Sequence, residues 1–284
     1  MTNQMKIHFW GTRGSFPSTK ENHMRYGGNT SCVSVETGQG LLVFDAGSGL
    51  AELGNWIRHQ EDTGYKQGEN ELKPQMICIF LSHVHIDHVM GFYLFSPFFD
   101  SGREIILYGE EKDGVSIQSL LTDLIRPPYW PVKLADMPAR IQFRTIRAGD
   151  CVQCQGVTVR TAAGQHPDGT LLFRAELGEK SLYYGLDCEM DAKLLDRLTP
   201  FCRDCDLLIS DAQYLEAQLE EKKGWGHSSW NAGIRLKQRS GAKKVICTHY
   251  DWQMTDQELE FQEQLAQRED PDCIFAKEGM EIVL

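Results

Sequence analysis

The chain has 284 residues, 41% of them hydrophobic and 24% charged, enough for a full core in one large domain or two small ones. Its net charge of −11 weighs against a dedicated nucleic-acid surface, which needs clustered lysine and arginine, but leaves room for a small anionic substrate at a bound cation. The start of the chain carries no apolar secretory leader, and no run reaches the roughly 20 apolar residues that span a bilayer, so a cytoplasmic location without membrane contact is expected.

Residues 6–10 read as a first strand, ended by a glycine-bearing turn over 11–17. The turn matches neither the Walker loop nor the dinucleotide fingerprint, so a structural turn is the better reading. Residues 32–36 alternate as a half-buried strand, 38–40 turn a hairpin, and 41–44 form the next strand. Asp45 ends it, and its carboxylate is read as accepting loop N–H groups rather than as a ligand. A helix over 50–59 and a polar surface loop over 61–73 follow.

The apolar, branched run 76–81 reads as a buried strand. It delivers Ser82-His83-Val84-His85-Ile86-Asp87-His88 to a strand end, where open α/β sheets bind ligands. Imidazole and carboxylate are the usual donors to zinc and similar ions. His83 and His85, two apart, share a side of extended backbone, while Asp87 and His88 turn toward a second point. One loop can thus serve two adjacent metals.

Residues 89–99 are apolar and aromatic, and Met90, Phe92, Tyr93 and Phe95 read as packing. A strand over 105–109 and a helix over 116–125 come next. Residues 126–138, with four prolines and Trp130, read as a loop or lid. Strands over 141–146 and 156–162 are joined by a turn at 150–155. His166 precedes a strand over 170–176. Strands over 181–186, 207–210 and 244–248 end at Asp187, Asp211 and His249. Four strands, counting the one before His83, thus place a donor at their ends. Thr255 and Glu258 make a capping box that opens a helix over 256–267, and 274–284 closes the chain as a hairpin or strand. No linker or fixed repeat divides the sequence, so one domain over 1–284 is expected.

Nine cysteines without a leader fit reduced thiols better than a disulfide framework. Cys151-x-x-Cys154 and Cys202-x-x-Cys205 raise a structural zinc site, but the pairs lie far apart and simple packing is preferred. His8, His23 and His59 read as structural or solvated.

The H-x-H-x-D-H series, the later His166, Asp187 and His249, and the N-terminal Gly11-Thr12-Arg13-Gly14-Ser15 and Gly28-Asn29-Thr30 together resemble the metallo-β-lactamase superfamily. The likeness covers nearly the whole chain and leans to the phosphodiesterase branch, which contains ribonuclease Z and a cyclic phosphodiesterase. It implies an α/β fold, the four-layer αββα sandwich, with two divalent metals, zinc first and manganese or iron as alternatives. By the resemblance, His83, His85 and His166 hold one ion, Asp87, His88 and His249 the other, and Asp187 bridges them. Two metals lower the pKa of bound water and clamp a phosphate oxygen, so a metal-bound hydroxide is the implied nucleophile.

Ser210-Asp211-Ala212-Gln213-Tyr214 and Gly224-Trp225-Gly226-His227-Ser228-Ser229 are similar to two ribonuclease Z segments. There an acidic residue orients a histidine that protonates the leaving oxygen, and Asp211 and His227 occupy those places. The catalytic set is therefore Asp87, Asp211 and His227. Pro167-Asp168-Gly169 departs from the two glycines expected after the histidine, and no basic arm for gripping transfer RNA is evident. The first expectation is a phosphodiesterase for small or cyclic nucleotide-like phosphodiesters. A transfer-RNA 3′-end endonuclease ranks second and a non-catalytic metal- or ligand-binding sensor third. The resemblance also implies a homodimer.

Overall fold

The computed structural model describes residues 4–63 and 75–284. In chain order its strands and helices are β1 (Lys6–Gly11), β2 (Cys32–Thr37), β3 (Gly40–Phe44), α1 (Gly49–Thr63), β4 (Met76–Phe80), α2 (Ile86–Val89), β5 (Glu104–Gly109), α3 (Ile117–Leu124) and β6 (Arg140–Thr145). The second half adds β7 (Cys151–Cys154), β8 (Val157–Ala163), β9 (Leu171–Leu177), β10 (Lys180–Gly185), α4 (Ala192–Phe201), β11 (Leu207–Asp211), α5 (Trp230–Ser240), β12 (Lys244–Thr248), α6 (Asp256–Glu269), β13 (Cys273–Phe275) and β14 (Glu281–Val283).

The strands form two seven-stranded sheets, ordered β14-β1-β2-β3-β4-β5-β6 and β13-β12-β11-β10-β9-β8-β7. Each sheet is antiparallel at one side and parallel from β3 to β6 or from β10 to β13. The halves of the chain thus build matching sheets, and only β14 crosses back to the first.

Period-2 alternation explains the layers. Leu42 and Phe44 face the second sheet and pack with Phe80, Phe173 and Tyr184, while Leu41 and Val43 face outward onto α1 and α3. Tyr183, Leu208 and Val245 face out of the second sheet onto α4, α5 and α6. Both faces of the central strands are covered, which is why they read as unbroken apolar runs. The expected αββα sandwich is what forms. Among the described residues, no helix is long and apolar enough to cross a membrane.

Several local expectations change. The strands around 141–146 and 156–162 are not a hairpin, because β6 ends the first sheet and β8 lies in the second. The turn placed at 150–155 is mostly strand β7, paired with β8. The last stretch splits between sheets as β13 and β14. Helix α1 runs past residue 59 to Thr63, and most of the polar loop placed at 61–73 lies outside the described residues. No element was expected where α4 and α5 stand. Yet Asp191 caps α4 by accepting from the Leu194 N–H at 2.7 Å, and Gly241 ends α5 with a left-handed φ of 76°. The proline-rich stretch does act as a cover, with Leu134 and Met137 buried beside α3 and Trp130 packed on Tyr93.

The thiols are not all reduced. A disulfide joins Cys78 of β4 to Cys154 of β7, across the sheets. Cys202 and Cys205 are buried in the apolar layer under α4, and among the described residues no third donor joins them. Packing, not a zinc knuckle, accounts for this pair.

Candidate metal centre

The parallel strands of both sheets end at one edge, and the donors gather there. Three residues at these ends take the left-handed backbone region: Asp45 at φ 59°, Asp187 at 51° and His249 at 63°. For residues other than glycine this costs of order 1–3 kcal/mol each, and it persists only where the surroundings enforce it. Here it turns each side chain back over the sheet edge.

The seven donors expected from the sequence come together as two groups, and both contain Asp187. His83, His85, His166 and Asp187 make the first, and Asp87, His88, Asp187 and His249 the second. Asp187 Oδ2 lies 3.6 Å from both His83 Nε2 and His166 Nε2. Its Oδ1 lies 3.1 Å from His88 Nε2 and 2.9 Å from His249 Nε2. Asp87 Oδ2 stands 3.3 Å from His249 Nε2 and 3.4 Å from His88 Nε2. In the first group His85 offers Nδ1, 3.0 Å from His166 Nε2.

Second partners fix the rings. Asp45 is fully buried and accepts from the Ser82 N–H at 2.7 Å, the Ser82 hydroxyl at 2.9 Å, the Tyr184 hydroxyl at 2.8 Å and His88 Nδ1 at 2.8 Å. With its proton given to Asp45, the Ser82 hydroxyl accepts from His83 Nδ1 at 3.0 Å. One carboxylate thereby sets the tautomers of His83 and His88, pointing each Nε2 into the centre. His166 Nδ1 donates to the Gly226 carbonyl at 3.0 Å. The expected role of Asp45 as a holder of loop backbone is present, and its hold on two imidazoles was not legible in the sequence.

The turn at 11–17 does more than reverse the chain. The Ser15 N–H donates to Asp87 Oδ2 at 2.7 Å, and a Cβ on Gly14 would meet the His249 ring at 2.4 Å, so only glycine fits. Arg13, fully buried, anchors this approach by donating to the carbonyls of Gly27 at 2.7 Å, Met254 at 2.6 Å, His23 at 3.1 Å and Asp251 at 3.2 Å.

Asp211 and His227 stand beside the second group. His227 Nδ1 donates to Asp211 Oδ2 at 2.9 Å, leaving Nε2 free of that bond. Asp211 itself is held by the N–H groups of Ser228, Gln213 and Asp187 at 2.9, 3.1 and 3.1 Å. Its Oδ2 also lies 3.5 Å from His249 Nδ1.

The residues fit a cation. His83 Nε2 is buried without a hydrogen-bond partner, and such an orphaned group costs of order 1–3 kcal/mol. Burial lowers the His83 and His166 pKa values, keeping both imidazoles neutral as metal ligands must be. His88 and His249 move the other way. Burial opposes their charge, but facing carboxylates win, Asp187 first, and His249 is pushed up to about 10. Protons on these two rings stand in for the positive charge that Asp87 and Asp187 demand.

Known proteins resemble this chain over nearly its whole length. The sequence profile described as "Beta-lactamase superfamily domain" matches residues 42–250, more than half of the chain. The chain is 20% identical to "Ribonuclease Z" of Haloarcula marismortui, over 98% of this chain and 96% of that protein. It is 26% identical to "Probable metallo-hydrolase YhfI" of Bacillus subtilis, over 86% of each. The YhfI crystal structure, described as a metallo-beta-lactamase fold protein, superposes with a TM-score of 0.72 at 20% identity over 100% of both chains. The structure of the short form of human tRNase Z gives 0.64 at 18% identity over 98% of each. The chain belongs to the beta-lactamase superfamily and is a hydrolase of the metallo-β-lactamase fold, which implies divalent metal ions among these histidines and aspartates.

Proposed function

We propose that the chain works as one domain and is a dinuclear metal-dependent phosphodiesterase for small or cyclic nucleotide-like phosphodiesters. The observation that carries this reading is Asp187, whose two oxygens face two different donor groups. His83, His85 and His166 would hold one ion, Asp87, His88 and His249 the other, and Asp187 both. Nitrogen and oxygen donors without thiolate suit zinc, with manganese or iron as alternatives. When bound, the ions supply Lewis acidity and an activated water at neutral pH.

The protein's own groups supply the rest. Hydrolysis forms a bond from water oxygen to phosphorus, breaks the bond to the leaving oxygen, and needs a proton on that oxygen. His227 is the donor. Asp211 grips Nδ1, so Nε2 is the atom that gives the proton to the departing alkoxide. Asp211 acts by positioning and by stabilising the charged ring. A β-lactam or thioester has less need of such a donor, which favours the phosphodiester.

A second reading, transfer-RNA 3′-end cleavage, draws support from the ribonuclease Z relatives. The charge of −11 speaks against it. A hydrolysis panel of cyclic mononucleotides, linear dinucleotides and transfer-RNA precursors, with zinc, manganese and iron varied, decides. The expected result is metal-dependent turnover of the small diesters. Selective cleavage of the precursors would replace the reading with the second. Metal-loaded protein that retains a ligand but turns over nothing would point to a sensor and end both.

A further inference from the structure

Beyond His227, a short series of side chains runs outward that the chemistry so far leaves unused. The Tyr214 ring stands edge-on to the His227 ring at 5.5 Å. Lys222 Nζ lies 5.6 Å from the Tyr214 ring and 4.1 Å from the Trp225 ring. The two aromatic rings are therefore within about 10 Å of one another, and the ammonium is near both. Trp225 is 56% exposed, an unusual state for the largest apolar side chain when nothing covers it.

The loop that presents this indole is tied down by hydrogen bonds. Gly224 and Gly226, both at φ 82°, flank Trp225, and their N–H groups donate to the Glu189 carboxylate at 2.7 and 3.3 Å. The Gly226 carbonyl accepts from His166, and a Cβ at Gly226 would meet that ring at 2.0 Å. Trp225 is thus fixed to the first donor group through one peptide. Lys222 lies over the indole, and more than half of the Trp225 surface remains open to a ligand.

We propose that Tyr214, Lys222 and Trp225 form the subsite for the departing side of the substrate, and that this side carries a planar aromatic ring, a nucleobase, which stacks on Trp225. The inference rests on the phosphodiesterase reading and sharpens it. The side is fixed by His227: the group it protonates is the one next to Tyr214, and the shelf continues outward from there. Stacking on an aromatic side chain tolerates any base, so the shelf selects nucleosides without selecting among them.

The test compares metal-replete wild type, Trp225→Ala and Trp225→Phe on a nucleoside 2′,3′-cyclic phosphate and on the base-free methyl riboside cyclic phosphate. Loss of one base stack predicts a KM for the nucleotide raised roughly tenfold in Trp225→Ala, with kcat nearly unchanged. The base-free diester should be unaffected, and Trp225→Phe should keep most of the wild-type KM. Calorimetry with adenosine monophosphate and ribose 5-phosphate gives a second readout: Trp225→Ala should weaken only the former, by the same factor. Equal effects on both ligands, or none, overturn the shelf. Wild type that hydrolyses neither diester ends the phosphodiesterase reading instead, and calorimetry still decides whether a base is bound.

Discussion

The two donor groups share Asp187 and little else. The second is sealed: His88 and His249 are wholly buried, Asp87 is nearly so, and each is gripped from behind by Asp45, Asp211 or the Ser15 N–H. The first is open on one side, where the His85 side chain is 42% exposed and the Asp168 carboxylate, 3.8 Å away, is itself largely in solvent. A group sealed into the core holds its geometry whatever happens outside. An open group leaves its donors within reach of solvent.

The largest expected break falls on what the groups have in common. Asp187→Ala should lower diester turnover by at least on the order of 10²–10³-fold and deplete metal from both groups, read by elemental analysis of the purified protein. If one full equivalent stayed bound, Asp187 would not be shared. His227→Ala should come next, with kcat down by roughly 10²–10⁴-fold on an alkyl diester but metal content intact. A nitrophenyl diester, whose leaving group needs no proton, should lose far less. Equal losses on both would remove His227 as the proton donor.

The contrast between sealed and open groups is sharpened by a pair of variants. Asp45→Asn should weaken metal binding by roughly 10–100-fold, because it unsettles His88 directly and His83 through Ser82. His85→Ala should release one ion readily and leave the sealed group loaded, followed by competition with a chromogenic chelator. The same chelator curve for both variants would erase the distinction.

The smallest effect is a control at the far ends of β10 and β11. Burial alone would raise the Asp206 pKa, but the Lys243 ammonium at 2.6 Å and the Ser181 N–H at 2.8 Å outweigh it and hold the group below its ordinary value. A lowered folded-state value stabilises the fold above the unfolded pKa and is lost as pH falls through the folded one. Asp206→Asn should therefore cost about 1 kcal/mol at pH 7, and in urea titrations the difference from wild type should begin to shrink near pH 4 and vanish only below the lowered folded-state value. Diesterase activity should not change, since no donor is near.

What could be read from the sequence follows from the same physics. A buried strand ended by a donor is a local pattern, so His83, Asp187, Asp211 and His249 stood out one strand at a time. The sharing of Asp187 was inferred by resemblance, and only three dimensions show each of its oxygens facing its own group. The hold of Asp45 on His88 spans 43 residues and has no local signature. The approach of Gly14 to His249 joins the two ends of the chain. Sheet membership was misread wherever neighbours in sequence part company, as β6 and β7 do. Helices α4 and α5 carry local end signals, Asp191 at the start of one and Gly241 at the end of the other, which are weaker than the strand-end pattern around them.

The topology has a consequence for how the protein is made. Each donor group takes two residues from loops of the first sheet and two from loops of the second. The sealed group is incomplete until His249 has been synthesised, and the first sheet lacks an edge strand until β14 follows. A chain interrupted on the ribosome therefore displays histidines without a finished cage, and full-strength ion capture is reserved for molecules whose halves have docked. An ion held at Asp187 would therefore tie the two sheets together as well as serve the site.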